Sequence, residues 1–434
     1  GAILYGQNIH LTYPPASITK ILTALIVLEN CNPDDTVTFS TTAVNQVEAD
    51  SGNKISVVAG DELSVEDCLY SMLLVSCNQA ANALAEHTAG SISAFVDMMN
   101  EKLAQLGCQE SHFENPSGLN GDNQYVSAYD MALIAQAAYD NETLVEISSA
   151  TTHKIAPTTQ NPDGFTIRGE HRLCVTEDPS SPYYYPEAIA GKTGYLIKAG
   201  NTLVTYAVKD NRRLVSVILK GQPRQYFVDG KALLEFGFRS FQDYTVADYE
   251  SRYVTGNETI NLDKGSFQAS DLMIDPDSVI TLPNSASFED ADITLGALPE
   301  ISPDNAVALL TYSYNDRTIG TAYLLAKDGI IIDGNDSAAE AATTAFDTAN
   351  AEASLATASN AEKPQRPHKH ISVAGVLITI LIVLLILSVI GLISWFIYSK
   401  KKEAKALAER RERRRQRLQR SGDEEEFERL LAEY

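Results

Sequence analysis

A serine and a lysine stand three residues apart at the start of a long apolar stretch. Ser17 and Lys20 follow Pro14-Pro15, and the residues after Lys20 are Ile-Leu-Thr-Ala-Leu-Ile-Val-Leu. The run predicts a buried helix with Ser17 near its N-terminus and Lys20 on the same helical face, within reach of the Ser17 hydroxyl. A serine is a weak nucleophile until a neighbouring base removes its proton, and a desolvated lysine can act as that base. The pair therefore predicts covalent catalysis by a serine.

Two further polar stretches accompany this pair. Ser76-Cys77-Asn78 leads into an Ala-rich helix, and Lys192-Thr193-Gly194 lies on a predicted strand that continues into a hairpin. Taken alone each pattern is weak, because Ser-x-x-Lys also occurs at Ser51 and Ser399, and Ser-x-Asn also occurs at Ser51 and Ser313. Lys-Thr-Gly occurs once. The order of the three stretches and their placement on a helix start, a helix–loop junction and a strand carry the prediction.

Together the stretches resemble the Ser-x-x-Lys, Ser-x-Asn and Lys-Thr-Gly motifs of penicillin-binding proteins and serine β-lactamases. The likeness is strongest to the low-molecular-weight D-alanyl-D-alanine carboxypeptidases of peptidase family S11. It is carried by residues 14–20, 76–86, 113–119 and 191–195. Gln79 stands where many members have Asp, and the expected first strand is shortened.

The resemblance implies a role for each residue of the three motifs. The catalytic residues it implies are Ser17 as the acyl-enzyme nucleophile, Lys20 as its general base and Ser76 as the proton relay toward the leaving D-alanine. The substrate-binding residues it implies are Asn78 for the peptide backbone, Lys192 and Thr193 for the terminal carboxylate, and Gly194 for close backbone approach.

The same resemblance implies removal of the terminal D-alanine from peptidoglycan stem pentapeptides ending in D-Ala-D-Ala. β-Lactam antibiotics would acylate the same serine as covalent inhibitors, and no cofactor is expected. Two alternatives stay open. One is a membrane-anchored serine β-lactamase, and the other is a non-catalytic penicillin-binding cell-wall sensor that keeps the fold.

Patterning along the chain predicts several parts. For the catalytic domain, the resemblance implies an α/β (α+β) serine β-lactamase/transpeptidase-like fold with a central antiparallel sheet flanked by helices. The patterning predicts that a small all-β domain and a C-terminal transmembrane helix follow it. The predicted boundaries are 1–237 for the catalytic domain, 238–334 for the β-rich domain, 335–370 for a flexible stalk, 371–398 for the transmembrane helix and 399–434 for a charged tail.

The transmembrane prediction rests on 28 consecutive residues, 371–398, that contain no Asp, Glu, Lys or Arg. Such a run exceeds the roughly 20 apolar residues that a bilayer core requires. Residues 400–420 carry 11 Lys and Arg against 3 acids, which predicts a cytoplasmic tail and an extracytoplasmic catalytic domain. We therefore expect a single-pass cell-membrane protein that contacts lipid through this helix. No signal peptide is visible at Gly1, so we expect that the natural start is missing.

Composition excludes several other classes of function. Among 434 residues, 57 acids and 34 bases give a net charge of −23, which disfavours nucleic-acid binding because phosphate contacts require a basic surface. The five cysteines form neither a disulfide framework nor a zinc-type Cys-x-x-Cys pair. No metal site is expected, since the histidines lie in unlike contexts without ligand spacing.

Overall fold

The structure is a computed structural model that describes residues 1–48, 51–299, 302–330 and 332. Within those residues, no helix combines the length and the apolar character needed to cross a membrane. The predicted stalk, transmembrane helix and tail, residues 335–434, lie outside the described part of the chain.

The first 240 residues contain both helices and strands. The helices are α1 (Lys20–Asn30), α2 (Thr41–Asn45), α3 (Val65–Leu74), α4 (Asn78–Ala89), α5 (Ile92–Gln105), α6 (Ala128–Tyr139), α7 (Glu142–Ser149), α8 (Arg172–Val175) and α9 (Gln225–Ser240). The strands are β1 (Thr12–Tyr13), β2 (Thr36–Thr38), β3 (Glu62–Ser64), β4 (Val126–Ser127), β5 (Thr152–Ile155), β6 (Phe165–Arg168), β7 (Ala188–Leu196), β8 (Gly200–Lys209) and β9 (Arg212–Gly221).

Helix α1 is the central element of this region. Every residue from Lys20 to Val27 is buried, and the helix packs against α3, α4, α5, α6 and α7. A helix that is apolar on all sides must be covered on all sides, which explains why its sequence shows no polar face. A single turn of 3-10 helix, Ala16–Thr19, precedes it and carries Ser17. The predicted buried helix is therefore present, and Ser17 lies three residues before its first residue, Lys20.

The antiparallel sheet of this region has the order β7-β8-β9. The turn between β8 and β9 contains Asp210 and Asn211, both with positive φ, as a tight hairpin between twisted strands requires. Helices α6 and α9 pack on the sheet, and β7 forms its edge beside the Ser17 turn. The hairpin predicted from the sequence is thus confirmed, and its edge strand lies next to the predicted nucleophile.

After Ser240 the chain changes to short strands. Its elements are β10 (Phe241–Thr245), α10 (Val246–Tyr249), β11 (Thr259–Leu262), β12 (Gly265–Gln268), β13 (Leu272–Ile274), β14 (Val279–Pro283), β15 (Asp292–Gly296), β16 (Ala306–Tyr314) and β17 (Arg317–Ala326). Four of the strands form an antiparallel sheet in the order β13-β17-β16-β15 over a separate hydrophobic core. The boundary predicted after residue 237 lies inside α9, because that helix continues to Ser240 before β10 begins.

Candidate active site

Ser17 and Lys20 are in direct contact. The Lys20 Nζ lies 3.0 Å from the Ser17 Oγ. In a 3-10 turn, residues three apart are nearly eclipsed, so the turn that ends at Thr19 stacks the Lys20 side chain over the serine. Ala16, just before the serine, has a φ of +53°, a conformation that costs energy for a residue other than glycine. The backbone thus accepts local strain at the position that presents Ser17.

Lys20 has two further hydrogen-bond acceptors. Its Nζ donates to the Asn78 Oδ1 at 2.8 Å and to the backbone carbonyl oxygen of Ser117. The lysine is fully buried, and no carboxylate is among these three partners. A buried ammonium without a counterion is costly, so this environment favours the neutral amine.

The electrostatics of the site also favour the neutral form of Lys20. Burial holds the pKa of Lys20 well below its ordinary value, and the positive charge of Lys192 lowers it further. A neutral amine in contact with a hydroxyl can accept its proton. The pair that the sequence singled out can therefore perform general-base activation of Ser17.

The second motif lies at the junction between α3 and α4. Asn78 is the first residue of α4, which directs its buried side chain onto Lys20. Ser76 precedes it with a φ of +63°, and among the described residues its half-buried hydroxyl has no hydrogen-bond partner. Cys77 is buried, and burial raises the pKa of its thiol to about 11, so it stays protonated at neutral pH. The structure brings Asn78 directly to Lys20 and leaves the Ser76 hydroxyl available.

The third motif lies on β7, against the Ser17 turn. A Cβ built on Gly194 would lie 2.8 Å from the Ser17 backbone nitrogen and 2.4 Å from the Thr202 Oγ1, so only glycine fits without a shift. Gly194 pairs with Thr202 on β8, whose hydroxyl donates to the Pro15 carbonyl oxygen at 2.9 Å. This bond ties the sheet to the segment that leads into Ser17.

Lys192 is buried on the same strand. Its Nζ donates to the carbonyl oxygen of Thr193 at 2.9 Å, and the Thr193 side chain is half-buried. Burial lowers the pKa of Lys192 to about 8, while the negative charge of Glu170 opposes that shift. Lys192 is therefore mostly charged at neutral pH, whereas Lys20 is held toward the neutral form.

Some residues around the site were not predicted from the sequence. The Ser117 carbonyl is a backbone group, and it belongs to a segment that was recognised only by resemblance. Glu170 donates its backbone N–H to the Leu74 carbonyl oxygen, and its carboxylate pairs with Lys54 at 3.2 Å. The neighbouring His171 packs against Gly191, one residue before Lys192. These contacts join segments that are far apart in the chain, so the spacing of residues in the sequence does not predict them.

Among the residues that the structure describes, no group of three or more His, Cys, Asp or Glu side chains is arranged to hold a metal ion.

The chain is similar in sequence to proteins named D-alanyl-D-alanine carboxypeptidase. A protein from Mycobacterium tuberculosis named D-alanyl-D-alanine carboxypeptidase DacB2 is 34% identical over 244 residues, which cover 55% of this chain and 78% of the relative. The Bacillus subtilis protein D-alanyl-D-alanine carboxypeptidase DacF is 29% identical over 250 residues. That match covers 56% of this chain and only 61% of the relative's length.

Among solved structures, the chain is similar to penicillin binding protein 5 from Haemophilus influenzae, with a TM-score of 0.57 and 25% sequence identity. The match covers 75% of this chain and 93% of that protein. The penicillin-binding α+β fold is thereby shown. A family model described as D-alanyl-D-alanine carboxypeptidase matches residues 1–222, just over half of the chain, and with these relatives it shows that the chain belongs to peptidase family S11.

Proposed function

We propose that this chain is a serine-type D-alanyl-D-alanine carboxypeptidase. It removes the terminal D-alanine from peptidoglycan stem pentapeptides through an acyl-enzyme, and β-lactams acylate the same serine. The observation that carries the proposal is the 3.0 Å contact between the Ser17 Oγ and a fully buried Lys20 Nζ. Membership of family S11 supports the choice of substrate.

Acylation begins when Lys20 takes the hydroxyl proton and the Ser17 oxygen attacks the carbonyl carbon of the penultimate D-alanine. Negative charge then develops on the carbonyl oxygen, and the Ser17 backbone N–H, which lies beside β7, donates a hydrogen bond to it. The scissile C–N bond breaks as Ser76 donates its hydroxyl proton to the departing amine and takes up the proton that Lys20 removed from Ser17, which returns Lys20 to its neutral form. Water subsequently hydrolyses the ester and restores the free serine.

Substrate binding uses the edge of the sheet. An extended peptide can add to β7 along the edge that pairs with no other described strand, because Gly194 leaves no side chain in the way. Asn78 holds the peptide backbone. The charged Lys192, with Thr193 beside it, binds the carboxylate of the terminal D-alanine.

A serine β-lactamase and a penicillin sensor share the three motifs, so the test must separate three outcomes. The full chain is incubated with a D-Ala-D-Ala peptide, a chromogenic cephalosporin and a labelled penicillin. A carboxypeptidase releases D-alanine and keeps the penicillin label. Rapid turnover of the cephalosporin without D-alanine release identifies a β-lactamase, and a stable label without either turnover identifies a sensor.

We also propose that residues 371–398 anchor the enzyme in the cell membrane, with the catalytic domain outside and the charged tail in the cytoplasm. The support is the 28-residue stretch free of Asp, Glu, Lys and Arg, together with the 11 basic residues at 400–420. A chain truncated before Ile371 should leave the membrane fraction and keep its turnover of small peptides. Recovery of the full chain from the soluble fraction would contradict the anchor, and loss of turnover after truncation would contradict a purely anchoring role.

A further inference from the structure

The hydrogen bonds of Lys20 fix the direction of its lone pair. A neutral amine has two N–H donors and one lone pair, and Lys20 Nζ contacts three oxygens. The Asn78 Oδ1 and the Ser117 carbonyl oxygen can only accept, so both N–H groups point at them. The lone pair is then left facing the Ser17 hydroxyl. If the Ser117 carbonyl moved away, an N–H could turn toward Ser17 and the amine would lose its orientation as a base.

Ser117 lies in a segment without regular structure, residues 113–124, which we call the 113–124 loop. The buried side chain of Gln124 forms hydrogen bonds with the backbone at three positions of this loop. Its Oε1 accepts from the backbone N–H groups of Glu114 at 3.0 Å and Asn115 at 3.1 Å. Its Nε2 donates to the Leu119 carbonyl oxygen at 2.5 Å. Gln124 is 5% exposed and so binds the backbone on both sides of Ser117.

Other contacts stabilise the 113–124 loop and hold it against α1 and the turn that carries Ser17. The Asn115 Oδ1 accepts from the Gly118 backbone N–H at 2.8 Å, and the Thr23 hydroxyl donates to the Pro116 carbonyl oxygen at 2.7 Å. Gly118 has a φ of +81°, and a Cβ there would collide with the Ala16 carbonyl oxygen. The loop therefore has little freedom to move relative to the Ser17 turn, provided that its own shape is kept.

We propose that Gln124 is a positioning residue for catalysis: by holding the 113–124 loop it keeps the Ser117 carbonyl on Lys20, so that the lone pair of the base faces Ser17. Gln124 touches neither the substrate nor the reacting atoms. The inference rests on the proposed function, in which Lys20 is the general base.

The test uses the full chain and a labelled penicillin. Gln124→Met keeps the length of the side chain and removes all three hydrogen bonds. We expect the acylation rate at saturating penicillin to fall by about tenfold or more, with the half-saturating concentration changed by less than about twofold. Gln124→Glu retains both acceptor contacts, but its second carboxylate oxygen faces the Leu119 carbonyl oxygen, so its acylation rate should also fall below that of the wild type. If Gln124→Met does not fold, the acylation rate of Gln124→Glu relative to the wild type decides the matter.

Asn100 provides a matched control, because it also clamps the 113–124 loop by two hydrogen bonds. Its Nδ2 donates to the Phe113 carbonyl oxygen at 2.9 Å, and its Oδ1 accepts from the Phe113 N–H at 3.1 Å. These bonds end four residues before Ser117. Asn100→Leu should lower the Tm about as much as Gln124→Met while leaving the acylation rate within about twofold of the wild type.

Three results would overturn the inference. Wild-type acylation in folded Gln124→Met would remove the role of Gln124, as would wild-type acylation in folded Gln124→Glu. Equal losses of rate in Asn100→Leu and Gln124→Met would assign the effect to general destabilisation. A wild-type chain that takes no label at all would defeat the proposed function itself, and this inference would fall with it.

Discussion

Gly194 lies directly against the backbone nitrogen of Ser17. The distance from a Cβ built on Gly194 to that nitrogen would be 2.8 Å, shorter than real Cβ contacts. The φ of Gly194 is outside the left-handed region, so alanine is excluded by space alone and not by backbone conformation. The close approach of β7 is what places a strand edge beside the nucleophile, where an extended peptide can pair with it.

Gly194→Ala should therefore impair acylation more than stability. The added methyl group must push β7 away from the Ser17 turn, and a displacement of about 1 Å at a reacting centre costs roughly a hundredfold in rate. Overpacking of this kind costs about 1–3 kcal/mol of folding free energy. The measurement is the penicillin acylation rate of the folded variant.

Gly296→Ala is the control for that substitution. Gly296 also lies on a strand, and a Cβ there would meet only the Leu309 carbonyl oxygen at an ordinary 3.8 Å. Its acylation rate should match the wild type. If Gly194→Ala also acylated at the wild-type rate, the close approach of β7 would have no part in catalysis.

Lys192→Gln tests carboxylate binding. The variant keeps a hydrogen-bond donor and loses the charge, and a charge-assisted hydrogen bond contributes about 1.5–3 kcal/mol against about 1 kcal/mol for a neutral one. We expect kcat/KM to fall by about tenfold or more for a peptide with a free terminal carboxylate. With the same peptide amidated at its C-terminus, wild type and variant should be equally poor. Equal losses on both peptides would show that Lys192 supports the site structurally instead.

The pH dependence of kcat/KM should have two limbs of different origin. Activity rises as Lys20 becomes neutral, at a pH well below the ordinary lysine value, because burial and Lys192 lower its pKa. Activity falls again as Lys192 loses its charge, near its pKa of about 8. The pH dependence of kcat/KM reports the ionisation of groups in the free enzyme. The alkaline limb should therefore appear with the free-carboxylate peptide. It should be absent with the amidated peptide, which has no carboxylate for Lys192 to bind. An alkaline limb near the same pH with both peptides would contradict the assignment.

The local parts of the site could be predicted from the sequence, and the long-range parts could not. The spacing of Ser17 and Lys20 fixes their contact because one helical turn joins them. The Lys192 strand was predictable from the hairpin that follows it. By contrast, the Ser117 oxygen belongs to the backbone, so its contact with Lys20 depends on the path of the chain and leaves no residue-type signal.

Glu170 illustrates the same limit for charged side chains. Its ion pair with Lys54 joins two residues that lie more than a hundred positions apart in the sequence. The residue types next to each of them in the sequence do not indicate the pairing. The boundary predicted after residue 237 falls within the last turn of α9, which ends at Ser240. Local patterns locate elements well, but they do not determine which distant elements meet.

The central claim is that Ser17 is the nucleophile activated by Lys20. The most direct measurement is to label the full chain with a penicillin, digest it and locate the adduct by mass spectrometry, beside the folded Ser17→Ala variant. The account predicts one adduct, on the peptide containing Ser17, and neither adduct nor D-alanine release in Ser17→Ala. An adduct on Ser51, or a label that persists in Ser17→Ala, would contradict it.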